Sequence, residues 1–174
     1  MESNPSNQSN QSKRLVQSHE MTIPATADRI FPLLCPVLEY EWIEGWKCDL
    51  LRSESGVAEN NCIFRTNDPL EGEMTWVVSR YEPDRDIEFV IFRPELLVLK
   101  LDLGLSENGN GTTRLRITHT FTGVGEEGNA VVGMLPEDFT RERWNWLGEA
   151  LAYYLRTGEM LRRGGEGRPH FVDN

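Results

Sequence analysis

Positive charge is scarce in this chain. Its 174 residues carry 18 Lys and Arg against 28 Asp and Glu, a formal net charge of −10. Nucleic acid and anionic lipid both call for a basic footprint, so neither a nucleic-acid nor a membrane partner is expected. Long apolar runs are missing too. No stretch of about 18 apolar residues could span a bilayer, and the N-terminal segment lacks the apolar run of about seven to fifteen residues that marks a secretory signal. Cysteine is sparse: Cys35, Cys48 and Cys62 are an odd number without CxxC spacing. They read as free thiols in a reducing compartment, and the expected location is cytoplasmic. His19, His119 and His170 lie far apart in the chain, and no ligand pair shows short spacing, so neither a metal nor a cofactor is expected.

Apolar residues are thinnest at the two ends. Residues 1–13 are mostly Ser, Asn and Gln, a composition that cannot bury enough surface to offset the entropy of ordering it. Residues 163–174, rich in glycine, read as an equally loose tail. One domain is expected between them, over residues 14–162, a length sufficient for a real core.

Within that domain RLVQSHEMTIP alternates and reads as a strand ending at Pro24. Ala25–Leu34 then looks helical, with Thr26 placed to cap it, and Pro32 and Pro36 divide the segment into two short helices. These helices carry Ile30, Phe31, Leu34, Val37, Leu38 and Trp42 towards a sheet. Six short extended runs follow, in order KCDLLRS, CIFRT, EMTWVVSRYE, DIEFVIF, LLVLKLDLGL and TTRLRITHTF. Turn formers separate them, Pro83-Asp84 and Asn110-Gly111 among them. The last run alternates most cleanly. Leu115, Ile117, His119 and Phe121 share one face, while Arg114, Arg116, Thr118 and Thr120 share the other. A glycine-rich stretch comes next. LPEDFTRERWNWLGEALAYYLRTGEML then forms the longest helical pattern, with Trp144, Leu147, Leu151, Tyr154 and Leu155 in one stripe. Its first turn is expected at Pro136-Glu137-Asp138. A meander of strands leaves one apolar face open, and this helix is the element long enough to cover it. The fold class is therefore α+β, a curved antiparallel sheet of about seven strands around a long C-terminal helix.

Three phrases carry a family likeness. IPATADRIFPLL, WVVSRYEPDRDIEF and GTTRLRITHTFTG, followed by the long helix, resemble the START-like or SRPBCC superfamily. That superfamily includes the Bet v 1 allergens, polyketide cyclase-like proteins and Hsp90 ATPase activator-like domains. The likeness covers roughly Arg14 to Leu161 and implies a helix-grip fold with an apolar cavity. It leaves the function open among ligand binding, cyclase or hydrolase chemistry, and protein interaction. Two features depart from particular branches. The segment ESGVAENN, with one glycine, stands where the plant allergens carry a glycine-rich loop, and the chain is shorter than a lipid-transfer domain requires.

The cavity wall implied by this arrangement comprises Trp42, Trp46, Phe64, Trp76, Phe89, His119, Phe121, Trp146 and Tyr153. The expected partner is a small apolar or amphipathic molecule; the oligomeric state is open, a homodimer included. His119 has two readings. It is either a core histidine satisfied by a neighbour or a polar anchor in the wall, able to orient a ligand or act as acid or base with a carboxylate. Glu39, Glu41 and Glu44 are either solvated carboxylates or groups at the cavity mouth that pair with Arg65, Arg80 or Arg93. Gly123-Val124-Gly125-Glu126-Glu127-Gly128 matches GxGxxG, but the preceding strand alternates and two glutamates would face a phosphate. It reads as a flexible loop, with a role as cavity gate open to it.

Overall fold

The computed structural model describes residues 11–68 and 72–163. The first ten residues of the expected N-terminal arm and the expected tail past residue 163 lie outside the described residues. Among the described residues there are seven strands: β1 Arg14–Ile23, β2 Asp49–Arg52, β3 Ile63–Asp68, β4 Gly72–Glu82, β5 Asp86–Arg93, β6 Leu97–Glu107 and β7 Thr113–Gly123. They form one antiparallel sheet in the order β1-β7-β6-β5-β4-β3-β2. The meander runs from β2 to β7, and β1 returns to pair with β7 along its whole length, from Arg14 opposite Thr122 to Ile23 opposite Thr113. Register shifts between Leu50 and Arg52 and between Val78 and Arg80 bend the strands.

The alternation on β7 is realised as expected: Leu115, Ile117, His119 and Phe121 are buried, and Arg114 and Arg116 are exposed. Leu97, Leu99, Leu101 and Leu103 on β6 and Ile87, Phe89 and Ile91 on β5 continue that dry face. Between β1 and β2 the chain forms α1 Ala27–Ile30, a 3-10 turn at Phe31–Leu34 and a second 3-10 turn at Glu39–Glu41. Thr26 occupies the N-cap without a side-chain cap bond. The proline at the second position of the first 3-10 turn and the extended backbone of Cys35 divide this region as the prolines suggested.

Two expectations are corrected. The stretch read as a flexible glycine-rich loop is a helix, α2 Gly125–Met134, with Gly128 and Val132 buried. Gly128 serves close packing. A Cβ on Gly128 would stand 1.9 Å from the Leu96 carbonyl oxygen, so this turn of helix lies directly on the β5–β6 connection. The long helix is also shorter than expected. α3 spans Arg141–Thr157, and Pro136 to Thr140 instead forms successive tight turns, with Phe139 N–H donating to Pro136 O and Arg141 N–H to Asp138 O. Buried Gln17 of β1 accounts for the change. Its amide nitrogen donates to Pro136 O at 2.5 Å, while its oxygen accepts from the Thr140 N–H at 3.2 Å and hydroxyl at 3.1 Å. One carboxamide thus satisfies groups that a longer helix would have used internally. α3 ends where Gly158 takes a left-handed conformation (φ 71°) and its N–H closes on Tyr154 O.

Candidate functional site

Sheet, α2, α3 and the segment of the second 3-10 turn line a partly open cavity of about 140 Å³. Its floor is β6, through Leu97, Leu99, Leu101 and Leu103, with Phe89 and Ile91 of β5 beside it. Its roof is Trp144 and Leu147 of α3, with Phe139 and Leu135 from the preceding turns. Trp42, Ile43 and Trp46 close one end. Two backbone anchors hold these tryptophans: Trp42 Nε1 donates to Leu33 O at 2.9 Å and Trp46 Nε1 to Pro36 O at 2.8 Å. An indole with its N–H satisfied presents an apolar surface to the cavity. Trp76 is fixed in the same way by Thr66 Oγ1 at 2.9 Å.

Six of the expected wall residues therefore face the cavity: Trp42, Trp46, Trp76, Phe89, His119 and Phe121. Three are placed elsewhere. Phe64 lies behind the wall, stacked on Trp76 with centroids 5.2 Å apart. Trp146 points away along α3 and lies under the Arg163 guanidinium, 4.1 Å from its ring centre. Tyr153 sits beside Arg156 at 5.5 Å. α3 is apolar on more than one side, and the stripe that reaches the cavity runs through Arg143, Trp144 and Leu147, so its other aromatics cover different surfaces.

The titratable side chains in the wall are Glu39, Arg93, His119 and Arg143. His119 is 4 % exposed. Its Nε2 accepts from Trp144 Nε1 at 3.4 Å, its ring stacks on Phe121, and Nδ1 has no partner. Because Nε2 accepts, the neutral ring carries its proton on Nδ1. A buried N–H donor therefore lies in the wall with its bonding capacity unused, a condition that costs about 1–3 kcal/mol. Burial pushes the His119 pKa down to about 3, with the Arg143 charge acting in the same direction. The imidazole is neutral at physiological pH.

Glu39 behaves in the opposite sense. It is half-buried and lines the cavity. Desolvation raises its pKa to about 8 despite the opposing influence of Arg143. Glu39 is thus an acid that keeps its proton near neutral pH and can donate as well as accept. Of the three glutamates considered, it alone faces the cavity, and its charged neighbour is Arg143 rather than the arginines expected to pair with it. Arg65 pairs with Asp49 and Glu73, and Arg80 with Asp86, Glu88 and Asp102. Glu41 accepts from the Tyr154 hydroxyl, and Glu44 receives the Arg163 N–H at 2.9 Å. The two glutamates bind the end of α3 and the chain that follows it to the turn segment. Arg143 had no distinguishing mark in the sequence, standing among other charges at the start of α3. The thiols stay outside this site; burial raises the pKa of Cys48 and Cys62, which keeps both protonated.

Solved structures of the same architecture are numerous. Norcoclaurine synthase from Thalictrum flavum, in complex with dopamine and hydroxybenzaldehyde, has a TM-score of 0.62 at 12% identity, covering 90% of this chain and 96% of that one. Protein MLL2253 from Mesorhizobium loti has a TM-score of 0.61 at 18% identity, covering 82% and 98%. DynU16, from the dynemicin biosynthetic locus, has a TM-score of 0.54 at 17% identity over 83% of this chain, which spans about half of it (48%). No family model matches the chain. No curated protein matches it either. These likenesses show the fold alone: the chain has the helix-grip fold of these solved structures.

Proposed function

We propose that this protein binds a small apolar or amphipathic molecule in the cavity between sheet and α3. The observation that carries the reading is the cavity itself: about 140 Å³ walled by Leu, Ile, Phe and Trp side chains. An apolar cavity of about 150 Å³ is enough to take up benzene, so the expected ligand has the bulk of about one aromatic ring. The few polar groups are grouped near Glu39, His119 and Arg143, as in sites where a small polar set orients an apolar ligand. The neighbour crystallised with dopamine and hydroxybenzaldehyde takes single-ring molecules, which supports the same scale here. Native mass spectrometry of protein purified from its own host tests the reading, together with a Leu101→Trp variant that fills the cavity. A stoichiometric passenger lost in the variant is expected. Absence of any passenger, with no thermal shift from a panel of single-ring compounds, would overturn it.

A second reading follows from Glu39. An acid with a pKa of about 8 facing a dry cavity has the properties of a general acid at neutral pH, which favours a cyclase- or hydrolase-like enzyme. It moves the working group from His119, neutral down to about pH 3, to Glu39. Hydrolysis of p-nitrophenyl acetate falling above pH 8 in the wild type, and lost in Glu39→Gln, is the expected signature; equal rates in both proteins would dispose of it. The protein-interaction reading required a core filled by its own side chains, and the cavity counts against it. Exposed Leu51 and Val57, on and beside edge strand β2, are the feature in its favour.

A further inference from the structure

We infer that Arg93 anchors a ligand carboxylate at the rim of the cavity, so that the molecule bound there is a small apolar body carrying one anionic group. This rests on the cavity-binding reading above and names the chemistry of the ligand's outer end. Two independent observations carry it, one of pairing and one of position.

Arg93 ends β5, is half-buried and lines the cavity. Among the described residues no hydrogen bond or ion pair engages its guanidinium. Other cations of the sheet are treated differently: Arg65, Arg80, Lys100 and Arg116 each meet at least one carboxylate. The chain has 28 Asp and Glu to offer, yet neither Glu39 of the cavity wall nor Glu95 in the following turn pairs with Arg93. A guanidinium presents its donors in a planar fork that a carboxylate fills bidentately. Half-burial has already removed part of its hydration, which strengthens its attraction for an anion.

Position gives that free cation a use. Arg93 stands opposite Leu97, the first residue of β6, at one end of the cavity floor. α2 borders the same end, since Gly128 lies against Leu96. The lining residues here, Met74, Arg93 and Val131, keep part of their surface accessible. Two residues inward along the strands, about 7 Å, Ile91, Leu99 and Phe121 are apolar and buried. His119 lies further in again, opposite Leu101. A molecule entering at this end meets a cation at the rim and a dry wall directly below it. An anionic end held at Arg93 keeps contact with water while the body is buried, which spares the charge most of its desolvation. A cationic end would be repelled by the same guanidinium.

Calorimetry at pH 7 separates the alternatives with four probes that share a phenyl ring on a short chain: hydrocinnamate, hydrocinnamide, phenylpropylamine and propylbenzene. Hydrocinnamate is expected to bind at least tenfold more tightly than its amide, with the amine weakest. Arg93→Met keeps an apolar stem and removes the charge. It should lower hydrocinnamate affinity about tenfold while leaving propylbenzene within twofold, and Arg93→Lys, which keeps the charge without the fork, should recover part of the loss. Lys100→Met removes a positive charge from the outer face and should leave every probe within twofold. A loss there equal to that in Arg93→Met would mean that net charge rather than a seat at the rim sets the preference, and would overturn the inference. Equal affinity for hydrocinnamate and its amide in the wild type would also overturn it, and propylbenzene binding would then leave the cavity reading standing. No binding by any of the four would overturn both. If Arg93→Met does not fold, Arg93→Gln serves in its place. A hydrocinnamate-to-amide ratio that collapses supports the inference, and an unchanged ratio sinks it.

Discussion

Among the described residues two buried side-chain nitrogens have no hydrogen-bond partner, one on each face of the sheet: Arg80 Nε outside and His119 Nδ1 inside. Their surroundings differ in kind. Arg80 lies in a charged lattice on the convex face, where it pairs with Asp102, with Asp86 at 3.9 Å and with Glu88 at 3.9 Å, while Arg116 reaches Asp102 at 3.1 Å. Burial works against the Arg80 charge, but the three carboxylates outweigh it and hold its pKa above the usual value. One missing bond there is offset by charge all around. His119 has no such surroundings, because β5, β6 and β7 present leucines, isoleucines and phenylalanines on that side. The same kind of defect is absorbed on the outer face and left open on the inner one.

The comparison can be broken most severely by truncating the inner face. Ile117 on β7 and Ile91 on β5 are both 0 % exposed. Ile117→Ala should cost about 2–5 kcal/mol, measured by urea unfolding at constant slope. A loss below about 1 kcal/mol would mean that neighbouring side chains can slump into the cavity, and that the dry face is less rigid than drawn.

A smaller effect sharpens the contrast between the two inner titratable groups. Glu39 has its pKa raised from 4.5 to about 8. The fold therefore binds its proton more tightly than the unfolded chain, and the stability this supplies is complete below pH 4.5 and lost as pH rises through 8. His119 has its pKa lowered from 6.5 to about 3. Its contribution is complete above pH 6.5 and lost as pH falls through 3. Between 4.5 and 6.5 the two slopes oppose each other, so the isolated windows lie on either side. From pH 6.5 to 8 the wild type should lose up to about 1.4 kcal/mol per pH unit relative to Glu39→Gln. From pH 4.5 down to 3 it should lose stability relative to His119→Phe. Parallel stability curves for wild type and Glu39→Gln above pH 6.5 would show that the carboxyl reaches water.

How far the sequence reported these features depends on what each one rests on. The sheet was legible because period-two alternation is a local property: β7 shows it within eleven residues, Thr113–Gly123. Four wall residues, Trp76, Phe89, His119 and Phe121, were legible for the same reason, while Trp42 and Trp46 stood out as large aromatics in the turn segment. α2 was not, because its glycines lower helix propensity, and their purpose emerges only when Leu96 is brought against Gly128. The true start of α3 was hidden in Gln17, more than a hundred positions away. Arg143 resembled any exposed helix charge, and Glu39 could not be separated from Glu41 and Glu44 until the turn segment folded. Trp146 and Tyr153 show the opposite failure: aromatic character alone does not say which side of a helix meets the cavity.

The mildest perturbation tests the outer face on its own terms. Lys100 on β6 pairs with Glu88 at 2.7 Å, and its side chain is 49 % exposed. Glu88 would not be stranded by the loss, since it also accepts from Ser79 Oγ at 2.8 Å and faces Arg80. An exposed pair of this kind contributes about 0.2–1 kcal/mol, and Lys100→Ala should fall in that range and shrink further in 1 M salt. If the outer lattice is as redundant as its geometry indicates, no single cation in it will matter much. A loss above 2 kcal/mol would mean that the lattice acts as a unit, and that the two faces are more alike in their dependence on individual groups than the two unpartnered nitrogens suggest.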